Sequence, residues 1–100
     1  MPAFRLSRLA RLDLIEIADY TVDTWGLEQA NRYLDSLENC FQQIARAPGI
    51  GRPCNRIRTG YRRIEHEMHV VIYRSDTDGV FISRILHRRM LPSMHSIEDA

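Results

Sequence analysis

Apolar side chains recur every three or four positions between residues 8 and 25, a spacing typical of an amphipathic helix. We expect one stripe of this helix to face the core, while an acidic row faces water. The apolar stripe consists of Leu14, Ala18, Val22 and Trp25. The acidic row consists of Asp13, Glu16, Asp19 and Asp23. Ser7 offers a side-chain oxygen as the N-cap, and Gly26 ends the helix.

A second helix follows almost at once, because the same spacing resumes at Ala30 and continues to Ile44. Its apolar stripe consists of Ala30, Tyr33 or Leu34, Leu37, Phe41 and Ile44. Pro48-Gly49 ends it. Two helices joined by so short a connection must fold back as a hairpin.

The rest of the chain alternates apolar and polar residues with the period of β-strands. Residues 4–6 form a short first strand, and three further runs cover residues 61–67, 69–74 and 80–87. The Gly-, Pro- and Arg-rich segment 47–60 is predicted to be a connecting loop. The short connections between the last three runs favour an antiparallel meander.

The predicted element order is therefore β-α-α-β-β-β, an α+β fold. The helical hairpin packs on one face of a small, mainly antiparallel sheet. Residues 1–100 are expected to form a single domain, with a flexible tail from about residue 92.

Composition excludes some classes of protein. With 44% hydrophobic and 27% charged residues, the chain is expected to be globular. No apolar run approaches about 18 residues, and the first residues lack a signal-peptide core, so we expect a cytoplasmic protein without a membrane segment. Cys40 and Cys54 are expected to be free thiols.

Charge is distributed unevenly. All 14 basic residues are arginines, which excludes chemistry that needs a lysine amine. Residues 46–89 contain 10 of these arginines and only 4 acidic residues. Since the guanidinium fork binds carboxylates and phosphates, this half predicts an anionic partner.

Seven arginines lie on or beside the last three strands, and we treat them as candidate contacts to an anionic partner. They are Arg58, Arg62, Arg63, Arg74, Arg84, Arg88 and Arg89. The alternative is that they are solvated charges that discourage aggregation at the sheet edges.

For the histidines and the tryptophan, we weigh a structural role against a functional one. His87, beside Arg88, is either a general acid or base or a strand-end hydrogen-bonding group. His66 and His69 span a strand–turn–strand junction, where we expect their rings not to converge on a metal. Trp25 is predicted to fill the core at the hairpin bend. No cofactor-binding motif occurs.

The ordered set of short motifs resembles the ParE branch of the RelE/ParE toxin superfamily over about 90 residues. The motifs are Phe4-Arg-Leu-Ser7, Leu12-Asp-Leu-Ile-Glu-Ile17, Trp25-Gly-Leu-Glu-Gln-Ala30, Ala47-Pro-Gly-Ile-Gly-Arg52, Gly60-Tyr-Arg-Arg63, His69-Val-Val-Ile-Tyr-Arg74 and Arg84-Ile-Leu-His87, followed by Met90 and His95. Members are the toxic halves of bacterial toxin–antitoxin pairs, which serve in plasmid stabilisation. The resemblance implies the same element order.

The resemblance also implies two alternative activities. ParE-type members trap the cleavage complex of DNA gyrase and catalyse nothing, whereas RelE-type members cleave messenger RNA on the ribosome. A nuclease would use Glu65 or Glu67 together with Arg84 and His87, but the chain has no lysine and no tyrosine after Tyr73. We therefore expect a gyrase poison neutralised by a ParD-like antitoxin, with no sequence-specific contact to nucleic acid.

Overall fold

The computed structural model describes residues 3–54 and 58–89, which form two helices and a five-stranded sheet. The elements are β1 (Phe4–Leu6), α1 (Arg8–Trp25), α2 (Leu27–Arg46), a 3-10 turn (Pro48–Ile50), β2 (Arg52–Pro53), β3 (Tyr61–His66), β4 (His69–Asp76) and β5 (Gly79–His87). The α+β fold and the order of the predicted elements are confirmed. The tail predicted to be flexible from about residue 92 lies outside the described residues.

Local sequence signals set the limits of the two helices, as predicted. The Ser7 hydroxyl oxygen accepts a hydrogen bond from the Ala10 amide at 2.9 Å and caps α1. Gly26 separates α1 from α2 with a φ of +91°, which other residues adopt only under strain. The chain therefore reverses within one residue and forms the predicted hairpin.

The predicted inward face of α1 is wrong. Its buried residues are Ala10, Asp13, Ile17 and Thr21. Leu14 still packs against the core, but Val22 is 40% exposed and Trp25, expected in the core, is 63% exposed. Asp13, expected in water, is buried. The buried face of α1 is therefore rotated about the helix axis, so that Asp13, Ile17 and Thr21 point inward where Leu14, Ala18 and Val22 were expected.

The prediction for α2 is confirmed. Ala30, Leu37, Phe41 and Ile44 are buried, and Tyr33 and Leu34 pack partly against the core. This stripe lies on one face of the sheet. In the described part of the chain, neither helix is long and apolar enough to cross a membrane.

The sheet has the strand order β1-β5-β4-β3-β2. β1 runs parallel to β5, and the other neighbours are antiparallel, so the sheet is mainly antiparallel as predicted. The two-residue β2 was not predicted, because it lies in the segment interpreted as a loop. The Tyr73 hydroxyl fixes this segment by donating to the Pro48 carbonyl at 2.7 Å and accepting from the Gly51 amide at 2.9 Å.

The two faces of the sheet carry separate apolar clusters. Val71, Tyr73 and Ile82 join the helices in the main core. The opposite face, which we call the open face, holds a second cluster of Cys54, Tyr61, Val70, Ile72 and Leu86. Cys40 and Cys54 are buried free thiols, and burial raises the pKa of each thiol.

Candidate functional site

The seven candidate arginines do not share one surface. Arg63 and Arg74 lie on the open face, because they alternate with residues of the main core along β3 and β4. Arg62 lies on the helix side and donates to the Gly51 carbonyl at 2.7 Å. Arg84 reaches α1. The remaining three lie outside the strands: Arg58, Arg88 and Arg89.

One open-face site consists of a carboxylate between two arginines. Glu65 Oε1 accepts from Arg52 at 2.5 Å and from Arg63 at 2.9 Å. The Arg63 hydrogen bond is the main reason why the pKa of Glu65 lies below its ordinary value. Arg63 Nε is buried and has no hydrogen-bond acceptor. This site therefore has an unused donor beside an internal ion pair.

A second site of the same kind lies across the sheet. Asp76 accepts from Arg5 and from Arg74, the latter at 2.9 Å. Both guanidinium groups lie over the ring of Phe81, with centroid distances of 5.4 Å for Arg5 and 4.6 Å for Arg74. Such contacts are favourable cation–π interactions. Hydrogen bonding, first from Arg5, lowers the pKa of Asp76.

Arg84 is held by Asp13 on α1. Its Nε donates to Asp13 Oδ2 at 2.9 Å and its terminal nitrogen donates to Oδ1 at 3.0 Å, a bidentate pair. The Ile85 amide donates to the same carboxylate at 2.9 Å. Because the Arg84 side chain is only 13% exposed, this guanidinium supports the fold and offers little surface to a partner.

A groove of about 480 Å³ lies between α1 and the end of β5. Glu16, Tyr20, Met68 and His87 are among its lining residues. Of the nuclease candidates, Glu65 is not brought together with Arg84 and His87 here. Arg84 and His87 line the groove, but Glu65 pairs with arginines on the open face of β3, and β4 separates β3 from β5.

Two histidines pack around Tyr33 of α2. The Tyr33 ring lies 5.9 Å from the His66 ring and 5.5 Å from the His69 ring, so both imidazoles pack against the same tyrosine. The Tyr33 hydroxyl is 2.6 Å from His69 Nδ1. Burial raises the pKa of Tyr33 to about 12. Burial, followed by the neighbouring His87 and His66, lowers the pKa of His69 to about 4.

This cluster attaches α2 to the β3–β4 turn. His66 Nε2 lies 2.9 Å from the Ser36 hydroxyl. Arg88 binds the turn from the other side, donating to the Glu67 carbonyl at 3.1 Å through its side chain. Across residues 3–54 and 58–89, no three His, Cys, Asp or Glu side chains are arranged to hold a metal ion.

An apolar groove of about 380 Å³ separates α1 from α2 at the end nearest β1. Leu14, Ile15 and Phe41 are among its apolar lining, and the charged residues of its described wall are Asp35 and Glu38. This groove could not be predicted from the sequence directly, because its lining residues come from three elements.

Sequence reasoning also missed two arginines of the open face. Arg5 belongs to β1 and reaches the open face because it pairs in register with Phe81. Arg52 lies opposite Arg63 in the unpredicted strand β2. The alternation in Phe4-Arg5-Leu6 indicates that Arg5 lies on the opposite face from its two apolar neighbours. For Arg52 there was no such signal, because β2 has only two residues and cannot show an alternating pattern.

Comparison with known proteins agrees with this fold. The family model described as the ParE toxin of the type II toxin–antitoxin system parDE matches residues 4–92. Toxin ParE1 of Caulobacter vibrioides is 42% identical over 95 residues, covering 95% of this chain and 98% of the relative. Toxin ParE1 of Mycobacterium tuberculosis is 41% identical over 88 residues, covering 87% and 90%.

Two solved structures share the architecture. A chain of the chromosomal ParDE toxin–antitoxin system from P. aeruginosa superposes with a TM-score of 0.74 at 21% identity, over 87% of this chain and 96% of the other. A chain of the RelBE2 toxin–antitoxin complex from M. tuberculosis gives 0.63 at 24% identity, over 88% and 100%. The fold is that of the RelE/ParE toxin superfamily. Within it, the chain belongs to the ParE family of type II toxin–antitoxin toxins.

Proposed function

We propose that this toxin poisons DNA gyrase by stabilising the complex in which the enzyme is covalently joined to cleaved DNA. The toxin acts as a binding protein and catalyses no reaction. A ParD-like antitoxin in the same cytoplasm neutralises it. Membership of the ParE family supports this function over other toxic activities.

The arrangement of the nuclease candidates is the observation that carries the proposal. In RNA cleavage the general acid and the general base must each come within hydrogen-bonding reach of the proton that they transfer, and both protons lie around one phosphate. Glu65 is held between two arginines on the open face, while His87 packs against His69, with ring centroids 5.6 Å apart, beside the α1 groove. Arg84 is already bound by Asp13. These groups supply no assembled site for RNA cleavage.

The exposed arginines beyond β5 are the proposed contact to gyrase. Arg88 and Arg89 are exposed at the end of the sheet, next to the groove that His87 lines. Arginine is enriched among residues that dominate binding energy in protein interfaces. Changing these charges removes the Arg88 hydrogen bond to the Glu67 carbonyl but alters no residue of the two apolar clusters.

A growth assay in bacteria tests this assignment. Arg88→Glu combined with Arg89→Glu should weaken toxicity, because it reverses the charge of the contact without touching the core. His87→Ala should keep most of its toxicity. Full toxicity of the double variant would refute the arginine contact, and complete loss in a folded His87→Ala variant would favour messenger-RNA cleavage instead.

The groove between α1 and α2 is the proposed binding site for apolar side chains of the antitoxin. Ile15 lines this groove and is 57% exposed, so Ile15→Glu should fold normally. Bacteria that make both proteins should then die, because the variant stays toxic and escapes the antitoxin. Survival equal to that with the unsubstituted toxin would contradict the proposal that the antitoxin binds in this groove.

A further inference from the structure

Among the residues that the structure describes, four arginines and two carboxylates of the open face are arranged as two similar sites. Each site consists of one acidic side chain between two guanidinium groups: Glu65 between Arg52 and Arg63, and Asp76 between Arg5 and Arg74. We infer that the open face binds an acidic polypeptide segment, and that a carboxylate of this segment replaces Glu65 between Arg52 and Arg63.

Strand register brings the four arginines to one face. Arg52 of β2 lies opposite Arg63 of β3. Arg74 of β4 lies opposite Phe81 of β5, which in turn lies opposite Arg5 of β1. Four of the five strands therefore each contribute one arginine. An extended segment that crosses the strands meets the two sites in succession.

The two sites indicate which chemical group a partner would bring, because each already binds a carboxylate of this chain. A carboxylate is the group that the two guanidinium pairs bind in the folded chain, and arginine matches carboxylate geometry well. Arg63 Nε adds a buried donor that Glu65 leaves without an acceptor. A carboxylate arriving from a partner would bind the terminal nitrogens of Arg52 and Arg63 that Glu65 now occupies.

Glu65 is the internal group suited to be replaced. The Arg52 side chain is 68% exposed and those of Arg63 and Glu65 are 32% and 35% exposed. Ion pairs this accessible to water contribute little to stability, so their exchange costs little. Asp76 differs, because it also accepts the Asp78 amide at 2.9 Å and supports the β4–β5 turn.

A peptide fits this face better than a nucleic acid. The two internal carboxylates offset half of the positive charge of the four arginines, whereas binding of a phosphate backbone depends on uncompensated positive charge. The inference rests on the proposed function only for the source of the peptide. If the proposed function holds, the peptide is an acidic segment of the antitoxin.

Fluorescence anisotropy with the full-length protein tests the inference. The probe is a labelled peptide of alternating glutamate and leucine. Glu65→Gln should bind it roughly two- to fivefold more tightly, because the internal competitor is gone. Arg52→Gln should bind it more weakly by a similar factor, and its exposed position keeps the fold intact.

Glu28→Gln is the matched control. Glu28 forms an exposed ion pair with Arg32 on α2 at 2.7 Å, so this change removes the same charge away from the open face. Tighter binding in Glu65→Gln than in Glu28→Gln supports the replacement. Equal affinities in these two variants overturn it.

A labelled single-stranded DNA of matched charge provides the second comparison. If Glu65→Gln raises affinity for DNA more than for the peptide, the occupant is nucleic acid and the inference is wrong. Neither assay involves gyrase. A toxin that traps gyrase on DNA but shows no effect of Glu65 on peptide binding would refute this inference while leaving the proposed function intact.

Discussion

Asp13 and Arg84 join the first helix to the uncovered edge of the last strand. β1 pairs with β5 only from Val80 to Ile82. Beyond this point the Asp13 carboxylate takes the place of a neighbouring strand, since it accepts both the Arg84 guanidinium and the Ile85 amide. The pair thus fixes α1 against the sheet and satisfies an edge amide.

Asp13→Asn should strongly destabilise the protein. It leaves the Arg84 charge in a site that is largely closed to water, and breaking such a pair costs about 3 kcal/mol of the free energy of unfolding. Chemical denaturation measures this loss. Asp19→Asn, at an exposed position of the same helix, is the control and should stay within about 0.5 kcal/mol of the original protein. A similarly small loss for Asp13→Asn would refute the structural role of the pair.

Trp25→Ala should change stability by less than about 1 kcal/mol, because the indole is 63% exposed and packs little. Ile17→Ala on the buried face of the same helix should cost about 2–5 kcal/mol. Thermal unfolding of both variants makes the comparison. A larger loss for Trp25→Ala than for Ile17→Ala would mean that the original prediction of a core tryptophan was right.

Stability should decrease in mild acid through His69. Its pKa is about 4 in the folded protein and near 6.5 when unfolded, so between these values the unfolded chain binds more protons. The contribution is complete above about pH 6.5 and is lost as the pH falls towards about 4. Because the ring is only half buried, we expect about 1–2 kcal/mol.

His69→Asn isolates this effect. Both proteins contain the same carboxylates and the same other histidines, so the difference between their stability–pH curves reports His69. Denaturant titrations at several pH values should show a shallower decline for the variant below about pH 6.5. Parallel curves would contradict the assignment.

The helix ends were predicted well, because they depend on residues that lie close to them in the sequence. Ser7 and Gly26 act through hydrogen bonding and backbone conformation of their immediate neighbours, so both ends of α1 could be predicted from the sequence. The buried face of α1 could not. It depends on Arg84, which lies 71 positions away in sequence and draws an acidic residue inward.

The sites on the sheet were predicted less well, because they depend on register. The arginine-rich half was recognised, but the sequence does not say which arginines share a face with Glu65. Arg52 lies in a strand too short to show alternation, and Arg5 belongs to the other end of the chain. The apparent surface of seven arginines therefore separates into several local sites.

Incubation of the purified, antitoxin-free toxin with gyrase, DNA and ATP, followed by detergent and protease, tests the central claim most directly. A gyrase poison predicts linear DNA that accumulates with toxin dose. The Arg88→Glu, Arg89→Glu double variant should yield less linear DNA at every dose. No linear DNA from a toxin preparation that still arrests growth when expressed would contradict the account and direct attention to messenger RNA on ribosomes.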